Sequence, residues 1–271
     1  MDIHTVTSFR RARSRADLAL AEGEVLLAGG TWLMSDPQPG ATGFVDLTTL
    51  GWPDLEVTPE GLRIGATCTI ARLVAWAGGP EVPPEWSAAA LAVDAVRSLL
   101  AGPGVWATAT VGGNVCRAYA AGALISFAVA LDGVAHVWTA DGGEVRLPVA
   151  QLITGDGTTC LRRGDVLRAV ELPAAALRSR ARLHRIALAE LGRSAAVVTG
   201  RVDDDGTAVF GITAATTVPA VLRFPVLPGP EDLAEAVAGA AGYYTDPLGP
   251  EDWRRGVSVV LAERARAELA A

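Results

Sequence analysis

Ala109-Thr110-Val111-Gly112-Gly113-Asn114 joins a hydroxyl residue, a glycine pair and an amide in consecutive positions. Adjacent glycines let the backbone take positive φ and approach a ligand with no Cβ in the way. Backbone N–H groups turned the same way form a nest that attracts anions, phosphate above all. Thr110 and Asn114 add side-chain hydrogen-bonding groups at its two ends. By itself such a stretch is more often a plain tight turn.

A second stretch changes that balance. Leu26-Leu27-Ala28-Gly29-Gly30-Thr31-Trp32-Leu33 reads as an apolar strand running into another Gly-Gly-Thr. Two Gly-Gly turns, each beside a threonine and each following β-like residues, fit the two phosphates of a dinucleotide gripped from both sides. Neither turn is a G-x-G-x-x-G fingerprint, and neither carries the Gly-Lys-Ser/Thr of a Walker A loop. A dinucleotide bound here is not held by a Rossmann fold.

Composition sets the outer limits. A chain of 271 residues makes one large or two modest domains, and 50% hydrophobic residues supply real cores. A formal charge of -7 argues against a nucleic-acid surface. The one basic cluster, Arg10, Arg11, Arg13 and Arg15, reads as a solvated helix face. The first residues are polar and charged, unlike a signal peptide. The most apolar run, 118–131, is closed by Asp132. It falls short of the about 20 residues a bilayer span needs and reads as a buried helix. Cys68, Cys116 and Cys160 form no C-x-x-C, as expected of a reduced, cytoplasmic protein. His4, His136 and His184 are scattered, with no metal-ligand spacing, no Fe–S run and no G-x-S-x-G elbow.

Along the chain, Thr7 or Ser8 caps an expected first helix through about residue 22, ending at Gly23. Strands are expected over 25–28, 44–47 and 62–66, with a Pro/Gly-rich loop over 35–43. Thr69 caps a helix through 77; 78–84 is a loop; 87–100 has helical spacing. An Ala-rich helix follows the second glycine turn and runs to 131. Asp141-Gly142-Gly143 marks a hairpin between 134–138 and 144–147, and 166–172 is a strand closed by Pro173. Residues 174–180 read as a linker. Beyond them a hairpin, 194–202 and 208–216, flanks Asp203-Asp204-Asp205-Gly206, and two helices, 231–240 and 251–269, close the chain. Strands followed by helices make an α+β layer.

The paired motifs carry a resemblance. An AGGT-type turn followed by TVGGN resembles the FAD-binding (medium) subunit of molybdenum hydroxylases, the group of carbon monoxide dehydrogenase and xanthine dehydrogenase. Phe44-Val45-Asp46-Leu47, Leu62 to Ile70 with its Ile64-Gly65-Ala66, Leu131-Asp132-Gly133, Gly164-Asp165-Val166-Leu167 to Pro173, and Ala214 to Pro219 with Arg223 follow the same family in order. The likeness therefore spans nearly the whole chain. It implies an α+β fold: a PCMH-type FAD-binding domain over 1–173, with subdomains of about 1–52 and 53–173, then a smaller C-terminal domain over 181–271. It also implies FAD with its pyrophosphate between the two glycine turns. Ala28, Gly29, Gly30, Thr31 and Trp32 would form one wall, and Thr110, Val111, Gly112, Gly113 and Asn114 the other. Tyr119, Leu167 and Arg185 complete the implied site, Tyr119 as a ring to stack on the cofactor.

No catalytic residue and no metal is expected in this chain. Molybdopterin and [2Fe–2S] clusters are expected in partner chains only, within a heterotrimer that pairs into a dimer of heterotrimers, with no nucleic acid and no membrane span. Electrons would pass from the partner clusters through FAD to NAD⁺, a quinone or O₂. Three positions depart from the family pattern. Ala123 stands where an Asp usually binds ribose, Arg185 where a Lys often opens the C-terminal domain, and Ser194 near another family Asp. Two further readings stay open: a structural subunit with weakened or lost FAD, and a self-sufficient flavoprotein oxidase.

Overall fold

The computed structural model describes residues 4–271, so the opening residues read above for a leader lie partly outside the described residues. The N-terminal helix expected from the sequence over 7–22 does not form; Ser8–Arg11 is a strand, and only a short 3₁₀ turn, Arg15–Leu18, follows it. Ala12 and Leu18 alone are buried there, so no helical stripe exists to dock. The extended chain instead pairs in parallel with Gly43–Asp46, which pairs in parallel with Glu24–Leu27 on its other side. All four residues of Gly43–Asp46 are buried, as a central parallel strand requires. The turn is set by Asp17, whose carboxylate accepts from Arg13 N and Ser14 N, each at 2.8 Å.

The next layer is an antiparallel sheet in the order Leu55–Thr58, Gly61–Gly65, Val166–Pro173, Val134–Trp138, Glu144–Pro148. Both hairpin strands and the strand ending at Pro173 lie where the turn residues placed them. Leu55–Thr58 gave no sequence signal. The sheet shares one core with the helices Ile70–Ala77, Leu91–Arg97 and Ala123–Ala130, built on Leu62, Ile64, Leu73, Trp76 and Phe127. Thr69 does cap its helix, its hydroxyl accepting from Arg72 N at 3.1 Å. The helix expected over 118–131 forms only as Ala123–Ala130, with 118–122 a non-helical turn after Val111–Arg117. Every residue of Ala123–Ala130 is buried, which explains an apolar run with no polar face. Residues 174–180 are no open linker: Ala174–Arg178 is a short helix with Ala174, Ala176 and Leu177 in the same core.

The C-terminal part is an antiparallel sheet, Arg180–Ile186, Ala196–Val202, Ala208–Thr213 and Ala220–Phe224, in sequence order. The helices Pro230–Ala238 and Glu251–Ala270 cover one face, with Phe210, Ile212, Leu233 and Leu261 between. The other face meets Ala123–Ala130, where the Ser126 and Thr213 hydroxyls lie 2.6 Å apart. Arg201, buried in this sheet, donates to Ala130 O at 2.7 Å and pairs with Asp132 and Asp203. Arg223 also pairs with Asp132, a structural ion pair remote from the glycine turns. The α+β architecture expected from the sequence is thus the architecture found.

Candidate functional site

Leaving the strand Glu24–Leu27, the chain turns at Gly29-Gly30. Gly30 has φ +69°, a conformation that an L side chain rarely adopts. The turn's carbonyls are bonded: Gly30 O accepts from Met34 N at 2.8 Å, and Trp32 O from Ser35 N at 2.9 Å. Its amides are not. Among the described residues, the backbone N–H groups of residues 29–33 donate to no protein acceptor. Five consecutive amides without a protein acceptor, at the end of a strand, are the raw material of an anion-binding nest.

The second glycine pair is built differently. Val111–Arg117 is a helix, so Gly112 and Gly113 lie in its first turn rather than in a loop. Thr110 is its N-cap, its hydroxyl oxygen accepting from Gly113 N at 3.0 Å. Val111 N donates to Cys68 O at 2.9 Å, Gly112 N to Ala66 O at 2.9 Å, and Asn114 N to Thr110 O at 3.0 Å. The amides of this wall are therefore committed within the protein. What it presents is side-chain donors. The Thr110 hydroxyl keeps its proton to give, and Asn114, whose Oδ1 accepts from Leu124 N at 3.0 Å, keeps its NH₂.

Glycine is needed for the walls to meet. A Cβ on Gly29 would lie 2.0 Å from Thr108 O, and one on Gly112 would lie 2.5 Å from the Ala66 Cβ. Gly113 is exposed toward the opening. Between the walls runs a cleft of about 560 Å³, within the ~300–1,000 Å³ range of small-molecule sites. It is lined by Ala28, Gly29, Gly30, Thr31 and Trp32 on one side. Thr110, Gly112, Gly113 and Asn114 line the other, with Tyr119 and Leu167 beside them. Val111, the first residue of the helix, is buried and does not line the cleft. Arg185 does not reach it either; it donates to Gly192 O at 2.7 Å beside a separate shallow hollow. The C-terminal cation that does approach is Arg193, whose guanidinium lies 4.6 Å from the centre of the Tyr119 ring. Ser194 is buried and donates to Ser98 O at 3.0 Å. Ala123 is fully buried at the first turn of its helix and has no surface on the cleft, so an aspartate introduced there loses its hydration before it meets any ligand.

Arg117, which no motif marks, also lines the cleft. It lies one helical turn after Asn114, on the same face, in an otherwise apolar segment, and that isolated charge was the available signal. Its guanidinium lies over both the Trp32 ring, at 4.1 Å, and the Tyr119 ring, at 3.8 Å. It donates to the Tyr119 hydroxyl at 2.6 Å. Among the described residues, the only other charged one lining the cleft is Asp165. Burial pushes that carboxyl up, but hydrogen bonds from Ala140 N, Arg162 N and the Arg162 side chain outweigh it and hold it below the usual carboxylate range. Cys116 is exposed at the wall of the cleft, where desolvation by the surrounding protein pushes its thiol up to about 12.

Apolar walls, free amides, two side-chain donors and one cation suit a long ligand with an anionic middle, and the fit to FAD is good. Solved structures with this architecture include quinoline 2-oxidoreductase from Pseudomonas putida 86 (TM-score 0.80, 19% identity, covering 97% of this chain and 96% of that one). They also include reconstituted CO dehydrogenase from Oligotropha carboxidovorans (0.80, 19%, 97% and 98%). A third is carbon monoxide dehydrogenase from Hydrogenophaga pseudoflava lacking the Mo-pyranopterin moiety (0.78, 17%, 96% and 96%). At these identities they establish a shared fold. No curated protein matches the chain in sequence. Residues 10–175 match the FAD binding domain in molybdopterin dehydrogenase, and the chain belongs to that family of oxidoreductase flavoproteins.

Proposed function

We propose that this chain is the electron-transfer subunit of a molybdenum hydroxylase, holding FAD across the cleft and passing electrons from a partner's [2Fe–2S] clusters to NAD⁺, a quinone or O₂. The observation that carries the reading is the run of free amides over 29–33 facing a glycine-lined helix start. When bound, the flavin accepts electrons and releases them; the protein supplies position and field. The residues 29–33 amides would hold the pyrophosphate, Thr110 and Asn114 would donate from the other wall, and Tyr119 would stack on a ring of the cofactor. The proposed organisation is 1–52 and 53–173 for the two cofactor-binding subdomains and 181–271 for the C-terminal domain.

Among the described residues the cleft offers no acid–base pair: Asp165 is the one carboxylate that lines it and is already bonded, and no cluster of His, Cys, Asp or Glu could hold a metal. Substrate activation is therefore assigned to partner chains carrying molybdopterin. Co-expression with neighbouring reading frames is expected to give an assembly containing iron, molybdenum and flavin. The isolated chain is expected to bind FAD and show only slow reduction of artificial dyes. Turnover of an organic substrate by the isolated chain at ordinary enzymatic rates, roughly 1–10³ per second, would replace this reading with a self-sufficient oxidase. A purified chain that takes up no flavin would leave a structural subunit, the reading that the buried Ala123 favours.

A further inference from the structure

We propose that Arg117 is the phosphate-binding cation of the cleft, pre-positioned by Trp32 and Tyr119 to meet the anionic middle of the dinucleotide. The inference rests on the FAD reading above and adds a residue to it. Three observations place the side chain. Its guanidinium lies over both aromatic rings and donates to the Tyr119 hydroxyl, so its geometry is fixed before any ligand arrives. One of those rings, Trp32, belongs to the run of free amides, which puts the charge beside the donors. Its Nε is buried and has no hydrogen-bond partner, and Nη1 donates to no acceptor among the described residues. Trp32 Nε1 is likewise buried and unpartnered.

An unpartnered buried N–H costs free energy unless a ligand completes it. No carboxylate competes for Arg117: the salt bridges of the described residues include none to it, and Asp165 is held elsewhere. Gly157 lies beside Nη1, where a Cβ would come to 3.4 Å. A planar guanidinium with two donors free suits a phosphate better than a ribose hydroxyl or a flavin carbonyl, since charge-assisted bonds to anions are the stronger ones.

The test compares FAD with riboflavin, which has the same ring system and no phosphate, by fluorescence titration of the purified full chain. Arg117→Met is expected to weaken FAD by about 10–100-fold and to leave riboflavin affinity and the melting temperature of the ligand-free protein unchanged. FAD binding by the parent is expected to weaken with added salt, and the variant to lose most of that dependence. Arg117→Lys, which keeps the charge, is expected to stay within a few-fold of the parent for FAD, and it serves as the measured variant if Arg117→Met fails to fold. Equal weakening of FAD and riboflavin, or an unchanged or tighter FAD affinity in Arg117→Met, overturns the inference while FAD binding by the parent sustains the functional reading. A parent that binds no FAD overturns both.

Discussion

Gly29→Ala is expected to give a folded chain that no longer retains flavin. The backbone of Gly29 lies outside the left-handed region, so alanine meets no conformational penalty there and the added methyl alone is tested. That methyl would sit 2.0 Å from Thr108 O and 2.8 Å from Thr108 C. Both are backbone atoms, which no rotamer change can move aside. Neither wall yields easily. Ala109 O accepts from Ile70 N at 2.9 Å, and Leu27 O accepts from Leu47 N at 2.8 Å, so each side of the contact is tied to its own sheet or helix. The walls must separate by more than an ångström, which carries the free amides away from Thr110 and Asn114. A loss of at least about 100-fold in FAD affinity, near 3 kcal/mol, is the expected size. Flavin content after gel filtration and a titration of the ligand-free protein measure it, with circular dichroism to confirm folding. Parent-like affinity in the folded variant would move the site away from this turn.

Arg254→Leu is expected to cost about 3–5 kcal/mol of stability, the range for breaking a buried charged network by removing one member. The side chain is completely buried. It donates to Gly249 O at 3.1 Å and Ala214 O at 2.6 Å, pairs with Asp246, and lies 4.1 Å over the Tyr244 ring. Leucine would leave Ala214 O without a partner and Asp246 without its counter-charge, while Gly249 O keeps Asp246 N and the Asp246 carboxylate keeps Leu248 N. The loss extends to the cleft side of the molecule. Ala214 is held at φ +62°, strained for an L residue, and its N–H donates to Ala120 O at 2.7 Å, next to Tyr119. Equilibrium denaturation compares the two proteins; a change below about 1 kcal/mol would show the network to be peripheral.

Local signals were legible. The glycine pair after the strand Glu24–Leu27, the Asp-Gly hairpins, the Thr69 cap and the later part of the apolar run 118–131 each state their structure within a few residues, because their chemistry is satisfied by near neighbours. What was not legible depends on distant partners. Ser8–Arg11 reads as capped and helical until Gly43–Asp46 arrives to pair with it. The Gly112-Gly113 pair reads as a loop, yet becomes a helix start because Cys68 O and Ala66 O take its first amides. Arg117 shows locally only as an isolated charge with Tyr119 two residues on; Trp32 joins them only after the two walls come together. Arg185 and Arg193 differ by one loop, and no spacing rule shows which of them turns toward Tyr119.

The helix Ala123–Ala130 has a consequence for how the gene can be divided. It is enclosed on all sides because the C-terminal sheet supplies the last of them: Thr213 meets Ser126, Gly211 comes within reach of Val129, and Arg201 closes the carbonyl of Ala130. Residue 180 is a seam in the sequence but not in the core. A reading frame stopped there would encode an interior with one side missing, and the C-terminal third is better regarded as the piece that finishes the flavoprotein than as an appendage to it.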